Sequence, residues 1–246
     1  MTLQEILDQC TIEGNNLKLP SIQLSRKQYA DVKKALTNVG GKWTGGKVQS
    51  FVFEESPSKY LKDISKGVKR NVKQEKQFFA TPSSMSDELV GLAGIEEHHS
   101  ILEPSAGDGA IVKAIQREIE GKEVDCVEMF DLNREKLGDI DNVNLVGTDF
   151  LEFENEEGYD RIIANPPFNK NQDITHVEHM YSMLKEGGRL VAITSVTYIN
   201  GSQKKQEAFK QWLSEVGACV FINQKGQFKE SGTNVETATL VINKLQ

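Results

Sequence analysis

Residues 100–115 read "SILEPSAGDGAIVKAI", and the reading of this stretch decides the fold. The apolar pair Ile101-Leu102 ends on an acid, Glu103. A loop of small residues follows, then an apolar pattern at helical spacing. Strand, tight loop and helix in that order form the first half of a βαβ unit, in which Gly107 and Gly109 allow positive φ and close approach of a ligand. The dinucleotide fingerprint G-x-G-x-x-G fails at its third glycine, which is Val112. Glu103 also disfavours a pyrophosphate: a carboxylate beside the loop repels an anion and suits a cationic ligand bearing an amine.

Outward from this stretch, strand and helix patterns alternate from Phe78 onward. The strand candidates are "SILE", "EVDCVE", "VNLVG", "RIIAN", "RLVAITS", "ACVFIN" and "ETATLVIN". Helical patterns lie near 83–93, 109–120, 131–138, 172–186 and 203–216. The pattern predicts an α/β fold, a seven-stranded, doubly wound, mostly parallel sheet with helices on both faces. No helical pattern separates the last two strands, so they are expected to form a terminal antiparallel hairpin. Ligands of such sheets bind at the carboxyl ends of the strands.

Residues 1–77 read as a separate, small α+β domain, followed by a second domain over 78–246. "NLKLPSIQL" has strand character, and "SRKQYADVKKALTNV" is a helix with Ser25 as N-cap, Tyr29, Val32 and Leu36 on one face, and Gly40-Gly41 as its stop. "KWTGGKVQSFVF" reads as a hairpin turning at Gly45-Gly46, with Trp43 taken as core. "SPSKYLKDISKG" would be a short helix, and the polar stretch 66–77 the linker. Residues 1–77 carry 14 Lys/Arg and 8 Asp/Glu, a net +6, whereas 78–246 carry 15 and 28, a net −13. A basic unit on an acidic body is suited to a polyanion, with Lys42, Lys47, Lys69 and Arg70 as candidate phosphate contacts; the alternative is a solvated, lysine-rich surface.

Length and composition exclude several classes. No apolar run reaches membrane-spanning length, and "MTLQEILDQC" lacks the layout of a signal peptide, so a cytoplasmic address is expected. Cys10, Cys126 and Cys219 lie far apart without a C-x-x-C pair, which argues against a disulfide set or a zinc site. His176 and His179 share a helix face in "THVEHM" but lack partners of metal-ligand pattern, and no metal site is expected.

Two further strand ends carry acids. Glu128 closes "VDCVE", 19 residues after Gly109, where a nucleotide site of this architecture takes the ribose hydroxyls. Asp149-Phe150 follows the third strand and can supply an acceptor and a ring for an adenine. Singly, each is a solvated strand end; three acids at three consecutive strand ends beside one glycine loop point to a nucleoside ligand. The fourth strand ends in "IIANPPFNK" (162–170). Its two prolines fix φ near −65° and hold Asn165 extended, which makes a rigid turn at the mouth of the sheet.

"EPSAGDG", "VEMFD", "TDFL" and "NPPF" occur in the order that resembles class I S-adenosylmethionine-dependent methyltransferases, over residues 78–244. The tetrapeptide Asn165-Pro166-Pro167-Phe168 is similar to that of their amino methyltransferases. "FFATPSSMSDELV" upstream and "GQFKESGTNVETATLVI" at the close complete a motif order like that of gamma-type N6-adenine DNA methyltransferases. The resemblance implies a Rossmann-like methyltransferase fold with S-adenosylmethionine as cofactor. It assigns Thr81 to the cofactor's methionine carboxylate, Ser105, Ala106, Gly107 and Gly109 to its methionine part, and Glu103 to its amino group. Glu128 takes the ribose, Asp149 the adenine amine, and Met129 and Phe150 the adenine faces. Ser105 stands where many members have glycine.

The implied chemistry is methyl transfer to an exocyclic adenine amine, whose lone pair is delocalised into the ring. The Asn165 side chain and the Pro166 carbonyl would accept its two hydrogens and turn the lone pair outward. Phe168 would stack on the flipped base, and Phe228 either covers its other face or anchors the last loop. DNA is the leading substrate. RNA adenine, a protein glutamine as in release-factor methyltransferases, and a non-catalytic cofactor-binding subunit are the alternatives. Gamma-type enzymes usually carry a large recognition domain after the final hairpin, and this sequence stops at Gln246, so sequence reading is expected to come from residues 1–77, to come from a separate specificity or restriction partner, or to be weak.

Overall fold

The computed structural model describes residues 1–46, 48–53, 56–58, 60–61, 81–228 and 235–245. The chain divides into two compact units, Met1–Gln77 and Phe78–Gln246. The expected linker lies outside the described residues, as does most of the helix expected over 56–67.

The small unit begins with α1 (Leu3–Leu7), β1 (Thr11–Glu13) and β2 (Asn16–Lys18), followed by α2 (Arg26–Asn38), β3 (Lys42–Thr44) and β4 (Ser50–Val52). Its four strands are antiparallel in the order β1-β2-β4-β3. Ser25 caps α2 as expected: its hydroxyl accepts the Gln28 N–H at 3.3 Å, and the Gln28 side chain accepts the Ser25 N–H at 3.0 Å. Val32 and Leu36 are buried with Ile6, Leu17, Phe51 and Phe53, whereas Tyr29 at the rim is exposed. The strand expected over 16–24 stops at Lys18, shortly before Pro20, which has no N–H to give a ladder. Its partner β1 and the helix α1 carry too few periodic residues to be read from sequence.

The larger unit runs α3 (Ser83–Ala93), β5 (Ile101–Glu103), α4 (Ala110–Glu118), β6 (Val124–Val127), α5 (Asp131–Gly138) and β7 (Val143–Gly147). It continues with β8 (Tyr159–Ala164), α6 (Gln172–Ser182), β9 (Leu184–Ser195), α7 (Thr197–Asn200), α8 (Lys204–Glu215), β10 (Cys219–Ile222) and β11 (Thr237–Asn243). The seven strands lie in the order β10-β11-β9-β8-β5-β6-β7. All ladders are parallel except those of β11, which runs antiparallel to both β9 and β10. The expected mixed, doubly wound sheet is therefore observed. The closing hairpin forms one end of the sheet, as expected, with β10 outermost and β11 between it and β9.

Period-two alternation divides the strands between two cores. Ile162, Ala164, Leu190 and Ala192 face α6 and α8, with Val177, Met180, Phe209 and Leu213. Ile163, Val191 and Ile193 face the other way, against Leu89 of α3 and Ile111 and Ile115 of α4. Strand β9 starts at Leu184, five residues before the predicted run, and the helix before it stops at Ser182 instead of residue 186. Leu184 pairs with Tyr159, and the ladder is interrupted around Gly187-Gly188 before resuming at Arg189. Those glycines hid the extension in the sequence.

The amino ends of β5, β8 and β9 are tied by Asp160. Its Oδ2 accepts from Ser100 N (2.8 Å), Ser100 Oγ (2.7 Å) and Lys185 Nζ (3.0 Å). Burial pushes the Asp160 carboxyl up, but these donors outweigh it and hold the group below its ordinary value of 3.8. An acid with a depressed folded pKa contributes stability above its unfolded pKa and loses it as pH falls. Asp160→Asn is expected to cost about 1–3 kcal/mol in urea unfolding at neutral pH, with the difference shrinking as pH falls below that value. Among the described residues, no helix is long and apolar enough to cross a membrane.

Candidate active site

The strand order reverses between β5 and β8: β6 and β7 extend one way from β5, and β9 the other way from β8. In open α/β sheets the crevice for ligands lies at this switch point, beyond the carboxyl ends of the strands. The loop after β5 is the glycine loop, and the turn after β8 is Asn165-Pro166-Pro167-Phe168. Because β5 and β8 pair directly, two motifs 60 residues apart in sequence meet at one place.

Two buried carboxylates lie there, Glu128 and Glu103. Glu128, at the end of β6, is 5% exposed and accepts the Gly107 N–H at 2.7 Å and the Phe130 N–H at 2.8 Å. Its Oε1 is also 3.4 Å from Nδ2 of Asn133 on α5, a contact the sequence reading missed. Glu103 is 2% exposed and accepts the Val112 N–H in the first turn of α4 at 3.2 Å. Burial pushes its carboxyl well above the ordinary range, against the pull of the Val112 bond, and the negative fields of Glu128 and Asp108 add to the rise. Among the described residues no salt bridge reaches Glu103. A buried acid with a second acid beside it calls for a cation, and S-adenosylmethionine carries two positive groups, an ammonium and a sulfonium. The residues fit this cofactor and would repel a pyrophosphate.

The glycines have separable tasks. Gly107, at φ 57°, turns its N–H toward Glu128. Gly109, at φ 80°, opens α4 in a left-handed conformation that favours glycine, and a Cβ there would displace the tip of Ile140, whose Cδ1 lies 2.5 Å from its position. Ala106 is buried, its N–H donating to the Val127 carbonyl at 3.1 Å, and Ser105 is half-buried.

Asn165 is half-buried, Pro166 buried and Pro167 exposed. The Asn165 Nδ2 donates to Thr81 Oγ1 at 3.1 Å. Thr81, which the resemblance assigns to the cofactor alone, therefore also touches the tetrapeptide. The bond directs the amide nitrogen toward Thr81 and fixes where the carbonyl oxygen points. Phe168 is half-buried against the core beneath α3 and α4. Beyond it Lys170 and Asn171 both take left-handed backbone, φ 53° and 59°, unusual for two non-glycine residues in succession. The start of α8 holds them: Asn171 Nδ2 donates to Gln203 Oε1 at 3.1 Å, and Gln206 Nε2 donates to Asn171 Oδ1 at 3.2 Å. Asp173, 1% exposed in the first turn of α6, accepts both Ser195 N (2.9 Å) and Ser195 Oγ (2.8 Å). The turn is thus clasped to α8 on one side and to β9 on the other. Asparagine-rich "FNKNQ" is the sequence signal for that tight turn; its partners, about 22–35 residues away, carry none.

The remaining candidates are placed as follows. Met129 is 56% exposed beside Glu128, open to a ligand. Asp149 caps the short 3-10 turn after β7, accepting the Leu151 N–H at 3.0 Å. Phe150 is 3% exposed, its ring centroid 5.3 Å from that of His176 and 4.8 Å from that of His179. In this arrangement its ring is core, because the 3-10 turn that Asp149 caps carries it inward. Phe228 is 1% exposed in the cluster of Met85, Ile193 and Val191. That is the loop-anchoring position; no face is open to a base. His179 Nε2 donates to the Phe153 carbonyl at 2.9 Å, and burial lowers His176 to about 4. Lys42 is exposed, whereas Lys47, Lys69 and Arg70 lie outside the described residues.

No family model matches the chain. Among curated proteins it is similar to malonyl-[acyl-carrier protein] O-methyltransferase 1 of Ilyobacter polytropus, at 27% identity over 139 residues, 54% of this chain and 52% of that protein. It is also similar to type II methyltransferase M.AccI of Acinetobacter calcoaceticus, at 30% identity over 117 residues, 46% of this chain and 22% of that protein. The chain thus spans about half or less of the length of these relatives. Among solved structures, a protein of Listeria monocytogenes assigned to the class I S-adenosylmethionine-dependent methyltransferases aligns with TM-score 0.54 and 15% identity, over 75% of this chain and 67% of that one. The larger unit has the Rossmann-like fold of the S-adenosylmethionine-dependent methyltransferases. S-adenosylmethionine is the cofactor to which the relatives and the carboxylate-lined crevice both point.

Proposed function

We propose that the protein methylates the exocyclic N6 amine of adenine in DNA. The observation that carries this reading is the junction of the switch point: the turn Asn165-Pro166-Pro167-Phe168 ends β8 directly beside β5, whose loop and acids suit the cofactor. S-adenosylmethionine supplies an activated methyl group when bound. Glu103 would then face its ammonium, Glu128 its ribose hydroxyls, Met129 its adenine, and Thr81 its carboxylate. The chain's own contribution is to hold the amine. The Asn165 Oδ1 and the Pro166 carbonyl accept its two hydrogens, which favours a pyramidal nitrogen with its lone pair free. The prolines and the clasp around Asn171 and Asp173 keep both acceptors in place before the substrate arrives, so little reorganisation is needed at the moment of reaction. Phe168, half-exposed at the same mouth, is positioned to stack on a base taken out of its helix.

The reading is tested by incubating the chain with methyl-labelled cofactor and separate pools of DNA, RNA and protein, followed by nucleoside and amino-acid analysis. Label recovered as N6-methyladenine from DNA is the expected result. Label on a glutamine amide of protein, or on RNA adenine with DNA unlabelled, would replace the substrate and keep the chemistry. Label on a carboxyl ester would overturn the amine reading.

A further inference from the structure

The sequence places Trp43 in the core of the small unit, and the structure does not. Trp43 lies on β3, directly opposite Phe51 of β4, which in turn stands opposite Leu17 of β2. Opposed residues of antiparallel strands share a face, so the Trp43 ring is on the core side of the sheet. Leu17 and Phe51 are each 0% exposed, but β3 is the edge strand, and Trp43 is left 42% exposed. It rests edge-on against Phe51, ring centroids 5.1 Å apart at 64°.

Its surroundings have a consistent character. Lys42 to Gly46 are all exposed, as are Val48 and Gln49 beyond the tip. A Cβ built on Gly45 or Gly46 meets no atom within 4 Å. The hairpin thus projects into solvent. The hairpin sequence, residues 42–53, contains two lysines, Lys42 and Lys47, and no Asp or Glu, with Glu54 and Glu55 following it in the chain. An open indole held from behind by a second ring, with the exposed Lys42 next to it in the chain, combines the two parts of a single-strand binding surface: charge for the phosphates and a preoriented π-face for a base. Because Phe51 fixes the ring, stacking would cost little conformational entropy.

We propose that strand β3 at the sheet edge binds unpaired nucleic-acid bases, with Trp43 as the stacking surface and Lys42 on the phosphates. The inference rests on the nucleic-acid reading of the catalytic site and assigns a nucleic-acid contact to the small unit by itself. It also gives the tryptophan a task that a merely solvated basic surface would not.

The protein contains two tryptophans, and the other, Trp212, packs on α8 against Tyr181 and Phe209. A full-length Trp212→Phe variant therefore reports on Trp43 alone. Titration with oligo(dT) should quench its emission, and heparin, a polyanion without bases, should bind without comparable quenching. Trp43→Ala should weaken oligo(dT) binding about 5- to 150-fold, the equivalent of 1–3 kcal/mol of stacking. Trp43→Phe should recover most of it, with thermal unfolding confirming that both variants fold. Equal quenching by heparin and oligo(dT), or unchanged affinity in folded Trp43→Ala, would overturn the stacking assignment. A chain that methylates DNA while Trp43 stays silent would sink this inference alone. A chain that methylates only protein and binds no oligonucleotide at low salt would sink both readings.

Discussion

Asn165→Ala is expected to lower the turnover number for amine methylation by about 10²- to 10³-fold, the usual loss when one preorganised polar contact to the reacting group is removed. Cofactor affinity should change little, because the acids and the glycine loop are untouched. That split, kcat down with cofactor Kd preserved, distinguishes loss of an acceptor from collapse of the site. The bond from Asn165 Nδ2 to Thr81 Oγ1 supplies a control. Thr81→Val removes the oxygen that fixes the amide and should lower kcat by about tenfold, as for a single lost hydrogen bond. In an Asn165→Ala background the same change should cost much less, since the group it orients is gone. Additive losses in the double variant would show that Thr81 acts on the cofactor alone. Full activity of Asn165→Ala would remove the tetrapeptide from the mechanism.

Glu103→Gln should weaken S-adenosylmethionine binding by about 10- to 150-fold, the worth of a hydrogen bond to a charged group, and at the same time stabilise the protein. The two effects share one cause. Burial and the neighbouring Glu128 and Asp108 raise the Glu103 carboxyl well above its ordinary value of 4.5. Above that pH the unfolded chain gives up the proton and the folded chain keeps it, so folding becomes less favourable as pH rises toward the folded pKa. Glutamine removes this term. The variant should gain about 0.5–2 kcal/mol at neutral to mildly alkaline pH and nothing below the ordinary carboxyl pKa. A cationic ligand favours the ionised form, so cofactor binding to the wild-type protein should release a proton from Glu103 and tighten as pH rises. Calorimetry in two buffers of different ionisation enthalpy reads that proton; its persistence in Glu103→Gln would assign it elsewhere.

What could be read from the sequence was what is local. The stretch 100–115 announces strand, loop and helix by periodicity and two glycines; the bond from Gly107 to Glu128, 21 residues away, carries no local signal. The five longer helices of the larger unit were legible because they run for eight to twelve residues, whereas the four-residue α7 was not. Three-residue strands such as β1 are too short to show a period. Contacts set by packing order were also hidden. Trp43 has the composition of a core residue, and only the position of β3 at the sheet edge exposes it. Phe150 and Phe228 have the composition of ligand contacts, and turns that no periodicity predicts carry both rings inward. The pairing of Asn165 with Thr81 spans 84 residues and needs the whole sheet to be assembled first.

The insertion of β11 between β9 and β10 has a consequence for how the protein is made. Strand β10 touches the sheet only through β11, and β9 offers its open edge until β11 arrives. Translation delivers β11 after every other strand, with Asn243 as its last residue. While the C-terminal segment is still inside the ribosome, a nascent chain can assemble the β7-to-β9 part of the sheet but cannot seat β10, whose Val220, Phe221 and Ile222 remain exposed even in the finished fold. Closure of this end of the sheet therefore waits for β11, and the interval before it is when the β9 edge and β10 are most open to mispairing with another chain.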